Sequence, residues 1–329
     1  MPDSHAARYE GAFSGRRCLV TGGAGFIGSH LARRLVDLGA HVVVLDNLAS
    51  GHQHNLPGEH LQSGRIELIE ASILDEPALA RAVHACALVF HQAAMVSVPQ
   101  SVAQPGECMM VNVVGTQRVL SAAARAGVQR VMFAASAAAY GNTPSLPSRE
   151  SDLPDSWSPY AASKISGELL LQTFARCASL STVSLRYFNV FGPRQDPKSP
   201  YAAAISAFAE ALIASRRPKI FGDGEQTRDF VPIENVVHAN LLAAASPRPL
   251  AGEVINIGCA GRIRLVDVLA EMGAALGVKV DPEFLPSRAG DVRHSSADIS
   301  RARDLLGYQP IVPFAEGIRR TLSWARESR

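Results

Sequence analysis

The chain has 329 residues, 47% hydrophobic and 19% charged, with 32 basic against 30 acidic side chains and a formal net charge of +2. That length suits about two domains; the apolar share excludes a disordered chain; the near-neutral balance removes any electrostatic drive toward nucleic acid or an anionic membrane. No apolar run reaches the ~18 residues of a membrane span, Met1–Ser14 lacks the apolar centre of a secretion signal, and five scattered cysteines without a CxxC pair argue against a disulfide scaffold or zinc ribbon and for reduced thiols in a cytoplasm.

The elements alternate from the start. Arg17–Thr21 is a short apolar strand ending in glycines, and Phe26–Leu38 has helical spacing, with Ile27, Leu31, Leu35 and Leu38 on one side and Gly39 at its end. Val42–Leu45 is β-branched and continuous, as a strand buried on both faces should be. Strands are predicted at Ile66–Ile69, Leu88–His91, Arg130–Ala134 and Thr182–Tyr187, with helices at Pro77–His84, Cys108–Ala126 and Tyr160–Cys177 between them. This alternation predicts an α/β fold with a doubly wound parallel (Rossmann) sheet. After Asn189, prolines and the Gly222-Asp223-Gly224 turn break the rhythm. Shorter segments follow at Phe230–Val231, Glu234–Ala244, Val254–Ile257, Leu265–Leu276 and Lys279–Phe284. The expected division is discontinuous: residues 15–189 plus about 232–258 form the dinucleotide-binding domain, and about 190–231 plus 259–329 a smaller mixed α/β domain for the substrate.

Gly22, Gly25 and Gly28 stand between a strand and a helix in a GxxGxxG spacing. The first permits a tight turn, the second lets a pyrophosphate approach the backbone, and the third lets helix and sheet pack closely. The helix then offers free N–H groups and the positive end of its dipole to phosphates. Asp46 closes the next strand, 18 residues past Gly28, where a carboxylate accepts both ribose hydroxyls of an adenosine and repels a 2′-phosphate. This favours NAD over NADP. Tyr160 and Lys164, four apart, share a helix face, and an ammonium beside a phenol favours the phenolate. A phenol so tuned is a general base for a sugar hydroxyl. Ser136 lies just past the Arg130–Ala134 strand, at the sheet edge where ligands bind.

Together with His91-Gln92-Ala93-Ala94, Asn112-Val113-Val114-Gly115-Thr116 and Arg186-Tyr187-Phe188-Asn189-Val190-Phe191-Gly192-Pro193, these motifs resemble the extended short-chain dehydrogenase/reductase family from about Arg17 to Pro310. Within it the chain resembles the UDP-sugar 4-epimerases, and most closely those acting on UDP-N-acetylglucosamine in bacterial polysaccharide pathways. The resemblance implies that Tyr160 takes the proton of the sugar 4-hydroxyl, Ser136 hydrogen-bonds the 4-oxygen, Lys164 holds the nicotinamide ribose, and NAD accepts and returns the C4 hydride. It implies NAD contacts from Gly22, Gly25, Phe26, Ile27, Gly28, Asp46, Asn47, Ser72, Ile73, Gln92, Ala93, Ala94, Asn112, Tyr160, Lys164 and Tyr187. Substrate contacts are implied for Ser97, Ser136, Tyr160, Asn189, Tyr201, Ala202, Gln226, Arg228, Arg288, Asp291 and Ser295. The two arginines suit a diphosphate because a guanidinium donates as a planar fork.

Ser295 stands where relatives restricted to plain hexoses resemble one another in carrying a tyrosine, and a small residue leaves room for a 2-acetamido group. Ala137 and Ala138 replace the acid–base pair of the related dehydratases and cannot exchange protons. Ser72 replaces an aspartate that binds the adenine amino group in many relatives, and looser NAD retention is the consequence to expect. The helices of Cys108–Ala126 and Tyr160–Cys177 pair in a homodimer in the family; burial within the monomer is the competing reading. The plain hexose pair or dual specificity, a net 4-keto-sugar reductase and a non-catalytic NAD sensor are the alternative functions. No metal is expected: His52 and His54 have no third ligand near them in sequence, and His91 reads as a packing residue.

Overall fold

The computed structural model describes residues 9, 11–143, 145–196, 204–287 and 292–328. The first half runs β1 (Arg17–Thr21), α1 (Phe26–Asp37), β2 (His41–Asp46), α2 (Gly58–Gln62), β3 (Ile66–Glu70), α3 (Glu76–Val83) and β4 (Leu88–His91). Helices α4 (Val98–Ala103), α5 (Pro105–Met109) and α6 (Gly115–Arg125) lead to β5 (Arg130–Ser136), α7 (Pro159–Cys177) and β6 (Ser181–Tyr187). The second half holds β7 (Asn189–Phe191), α8 (Ala204–Ile213), β8 (Lys219–Phe221), β9 (Thr227–Arg228), β10 (Phe230–Pro232), α9 (Ile233–Ala245) and β11 (Ala251–Ile257). It ends with β12 (Ile263–Arg264), α10 (Leu265–Leu276), β13 (Glu283–Leu285), α11 (Ser300–Leu306) and α12 (Phe314–Glu327).

Seven strands form one parallel sheet in the order β11-β6-β5-β4-β1-β2-β3. The order reverses between β1 and β4, which opens a crevice at the carboxyl ends of those strands. Both faces are covered. Leu31, Leu35, Val236 and Leu241 from α1 and α9 pack on one side, and Leu79, Val119, Leu120 and Leu171 from α3, α6 and α7 on the other. A third cluster, centred on Phe191, Phe208, Phe230, Met272 and Ile318, lies among β7, α8, β10, α10 and α12.

Observed boundaries depart from the sequence reading at several elements, among them β11, which begins at Ala251 rather than Val254. The helix predicted from Cys108 starts at Pro105 and carries a π turn over Met110–Val114, within which the side chain of Asn112 bonds the backbone of Met95. β5 extends to Ser136, held by the pairing of Ser136 with Tyr187 on β6. The Lys279–Phe284 segment is a strand only at Glu283–Leu285, where it pairs with β8. Among the described residues no helix is long and apolar enough to cross a membrane.

Candidate active site

The glycine turn closes tightly against the end of β4. Gly22 has φ +66°, and a Cβ there would stand 2.7 Å from the Ala93 nitrogen. A Cβ on Gly28 would overlap the Gly22 carbonyl oxygen. The N-terminus of α1 has no side-chain cap and no acidic residue in its first turn, so its donors and dipole face the crevice unopposed. Asp46, nearly buried at the end of β2, accepts from the Ala24 N–H and the Leu48 N–H, each at 2.9 Å. One lone pair on each oxygen stays available beside the glycine turn. Cradle, helix end and carboxylate fit a dinucleotide. Replacing Gly28 with alanine is expected to force the turn open, abolish NAD retention and cost on the order of 1–3 kcal/mol of stability; cofactor content after purification and the melting temperature check this.

Gln92 and Ala93 lie over that turn: their N–H groups donate to the Thr21 carbonyl and the Thr21 Oγ1. Phe26 and Ile27 begin α1, half-buried, and Phe26 packs edge-on against His30. Ala94 is half-buried beyond Ala93. Asn47 is exposed, its Oδ1 turned to the Ala49 N–H. Ser72 follows β3 and accepts from the Leu74 N–H at 3.1 Å, keeping its O–H free to donate.

Three of the expected cofactor residues also make contacts within the protein. Asn112 is 2% exposed; its amide accepts from Met95 N–H at 2.8 Å and donates to the Met95 carbonyl and Ser163 Oγ. It ties the π turn to its neighbours. Ile73 is a core residue packed against Gly115. Tyr187 Oη accepts from Asn240 Nδ2 at 2.8 Å and Gln92 Nε2 at 3.3 Å, so it buttresses Gln92, and burial raises its phenol to about 12.

Ser136, Tyr160 and Lys164 come together at the carboxyl end of β5. Ser158 caps α7 through the Ala161 N–H and Pro159 sets its first residue, which places Tyr160 in the first turn. Ser136 Oγ accepts from the Ala138 N–H at 3.1 Å, which turns its proton outward. Burial holds the Tyr160 phenol above its ordinary value, and a hydrogen bond from Ser136 opposes this. The Lys164 ammonium donates to the Ala134 carbonyl at 2.8 Å and lies 5.8 Å from the Tyr160 ring centroid. Burial lowers it to about 8. Residue spacing assigns Lys164 the task of lowering the phenol; the Ser136 hydrogen bond lowers it too, against the burial that raises it.

A second group assembles next to the first. Asn189, exposed, follows β6 and pairs on β7 with Phe230 of β10, beside Arg228. Arg228 donates to the Thr227 and Arg293 carbonyls. The Ser295 N–H donates to the Thr227 carbonyl at 3.1 Å, which fixes half-buried Ser295 beside β9. Gln226 is 4% exposed; its Nε2 donates to the Phe221 carbonyl, and its Oε1 is buried without a partner. Ser97 caps α4 through the Gln100 N–H, with its own proton free. Tyr201, Ala202, Arg288 and Asp291 lie outside the described residues.

Residues 18–258 match the NAD dependent epimerase/dehydratase family. The chain belongs to that family. NAD is the cofactor the family takes its name from, and the glycine cradle and Asp46 described above fit it. A UDP-glucose 4-epimerase of Mycolicibacterium smegmatis is 41% identical over 313 residues, 94% of this chain and 98% of the relative. The structure of a UDP-N-acetylglucosamine 4-epimerase from Methanobrevibacter ruminantium M1, in complex with UDP-N-acetylmuramic acid, is 37% identical with a TM-score of 0.91, covering 96% of this chain and all of that one. A UDP-glucose 4-epimerase of Thermus thermophilus in complex with NAD is 34% identical, with a TM-score of 0.85 over 95% of this chain and all of that one.

Asp229 was not singled out from sequence, yet it organises the second group. Its fully buried carboxylate accepts from the Cys259 N–H at 2.9 Å and the Ala297 N–H at 3.1 Å, and burial raises it to about 6. An acid between Arg228 and the apolar Phe230-Val231 pair was the available signal.

Proposed function

We propose that this chain, an NAD-dependent UDP-sugar 4-epimerase, interconverts UDP-N-acetylglucosamine and UDP-N-acetylgalactosamine. The observation that carries the choice of sugar is Ser295, a small half-buried residue pinned to Thr227 beside Arg228. It leaves space where a larger side chain would exclude a 2-acetamido group.

In this reading Tyr160 takes the proton of the sugar 4-hydroxyl and returns it, Ser136 donates to the 4-oxygen, and Lys164 holds the nicotinamide ribose with the N–H groups not used on Ala134. Gly22, Gly25, Gly28 and the α1 N-terminus hold the pyrophosphate, and Asp46 the adenosine ribose. When bound, NAD would supply a reversible hydride acceptor for C4. Asn189, Arg228 and Arg288 bind the substrate diphosphate; Ser97, Tyr201, Ala202, Gln226, Asp291 and Ser295 line the sugar and nucleotide. Ala137 and Ala138 offer no acid or base, which argues against elimination of water from the sugar. We place the enzyme in the cytoplasm as a homodimer; the exposed apolar side chains of Met110 and Leu169, beside α5 and on α7, support a helix-to-helix contact.

A second reading, UDP-glucose/UDP-galactose interconversion, is favoured by the M. smegmatis relative. Removing bulk admits a larger sugar without excluding a smaller one. NMR of product mixtures from UDP-N-acetylglucosamine and UDP-glucose, supplied separately at equal concentration without added NAD, decides between them. The acetylated sugar is expected to turn over faster, and turnover of UDP-glucose alone would refute the substrate choice. Ser295→Tyr is expected to lower the ratio of acetylated to plain turnover by ~10–200-fold.

A further inference from the structure

Two buried relays connect the backbone of Tyr160 to one short segment of the opposite wall. The Tyr160 N–H donates to Ser101 Oγ at 3.1 Å. Ser101, fully buried on α4, donates in turn to the Val98 carbonyl at 2.7 Å. On the other side, Ser163 Oγ donates to the Tyr160 carbonyl at 2.7 Å and accepts from Asn112 Nδ2 at 2.9 Å. The Asn112 amide grips both backbone groups of Met95. Both relays therefore end within residues 95–98, the stretch that contains Ser97. The Tyr160 N–H is one of the first-turn donors that a helix leaves without an intrahelical partner. Here that donor is satisfied from another element, 59 positions earlier in the chain.

We propose that Ser101 and Asn112 are positioning residues that lock the 95–98 wall of the sugar site in register with the Tyr160 phenol. The inference rests on the reading of Tyr160 as the proton-transfer residue. Neither side chain has to touch the sugar. Each fixes the distance between the wall that orients the sugar and the oxygen that receives its proton. An error of about 1 Å in such a distance costs ~100-fold in rate. The relays also give the π turn a purpose: it swings Asn112 out of helical register and onto Met95.

The test compares kcat and KM of the NAD-loaded wild type, Ser101→Ala, Ser101→Thr and Val102→Ala on the better UDP-sugar. Val102 is 61% exposed on the same helix and serves as a control for changes to α4. S101A is expected to lower kcat ~10–100-fold with KM little changed, S101T to recover most of kcat by restoring the acceptor, and V102A to match wild type. Asn112→Ala is expected to lower kcat in the same way through the other relay. If S101A fails to fold, Ser101→Cys, which keeps the volume with a weaker acceptor, carries the comparison and should fall between S101T and wild type on one side and full loss on the other. Unchanged kcat in S101A, or a loss that S101T does not recover, overturns the proposal while the epimerase reading stands. A wild type that turns over no UDP-sugar overturns that reading and the proposal with it.

Discussion

Tyr160→Phe is expected to lower kcat by ~10²–10⁴-fold, the usual contribution of a positioned general base, while leaving NAD content and melting temperature near those of the wild type. The substitution removes one oxygen. The ring stays, because the backbone of residue 160 is held at its N–H by Ser101 and at its carbonyl by Ser163. Ser136 keeps its bond from the Ala138 N–H and cannot replace the base. The pH profile provides the second readout. Burial raises the phenol, so the phenolate fraction in the free enzyme grows as pH rises. The wild-type kcat/KM should climb with pH on the limb below that value, and the limb should disappear in Y160F. A variant that retains near-wild-type kcat would remove Tyr160 from the chemistry.

The parts of this site that sequence makes legible are those whose partners are near in the chain or whose backbone demands a residue type. The glycine turn is local: Gly22 needs positive φ and Gly28 has no room for a Cβ, and both facts follow from the strand–turn–helix pattern around them. β1, β2, β4 and β5 announce themselves as apolar runs because the sheet is covered on both faces. Helices α8, α11 and α12 and the two- and three-residue strands β7, β8, β9 and β12 were not anticipated. The strands are too short for a periodic signal and exist through distant pairing, such as that of β12 with β9. The same limit hid side chains whose partners are distant in the chain. Ser101 acts on a residue 59 positions away, Asp229 on one 30 away and Glu168 on one 18 away. Asn112 was recognisable as part of a motif, but its bonds to Met95 and Ser163, which decide what it does, are tertiary. The phenol of Tyr160 shows the same thing: spacing places Lys164 on its face, and only the fold reveals the burial that raises the phenol and the Ser136 bond that opposes it.

The largest stability effect is expected at Glu168. This carboxylate on α7 and the Arg186 guanidinium on β6 form a two-pronged pair, Nε to Oε1 and Nη2 to Oε2, both at 2.8 Å, with side chains only 4% and 3% exposed. Arg186 also stacks over the Tyr140 ring at 4.6 Å, and Tyr140 Oη donates to Asn256 on β11 at 2.6 Å. Glu168→Ala leaves a desolvated cation without its counter-charge. Breaking one side of a buried pair costs roughly 3–5 kcal/mol, which for a chain of this size corresponds to a fall in melting temperature on the order of 10 °C. The cost comes from the stranded charge more than from the lost attraction. Replacing both partners with apolar residues of similar volume, Glu168→Met with Arg186→Met, should therefore restore much of the loss, since the desolvation penalty disappears with the charges. Glu168 lies on the helix that carries Tyr160 and Lys164, one turn past Lys164. If the pair also sets the height of α7 on the sheet, the double variant regains stability without regaining kcat; if it serves stability alone, both return together. A single E168A variant that melts with the wild type would show that the guanidinium finds water or another acceptor, and that the pair contributes little to this fold.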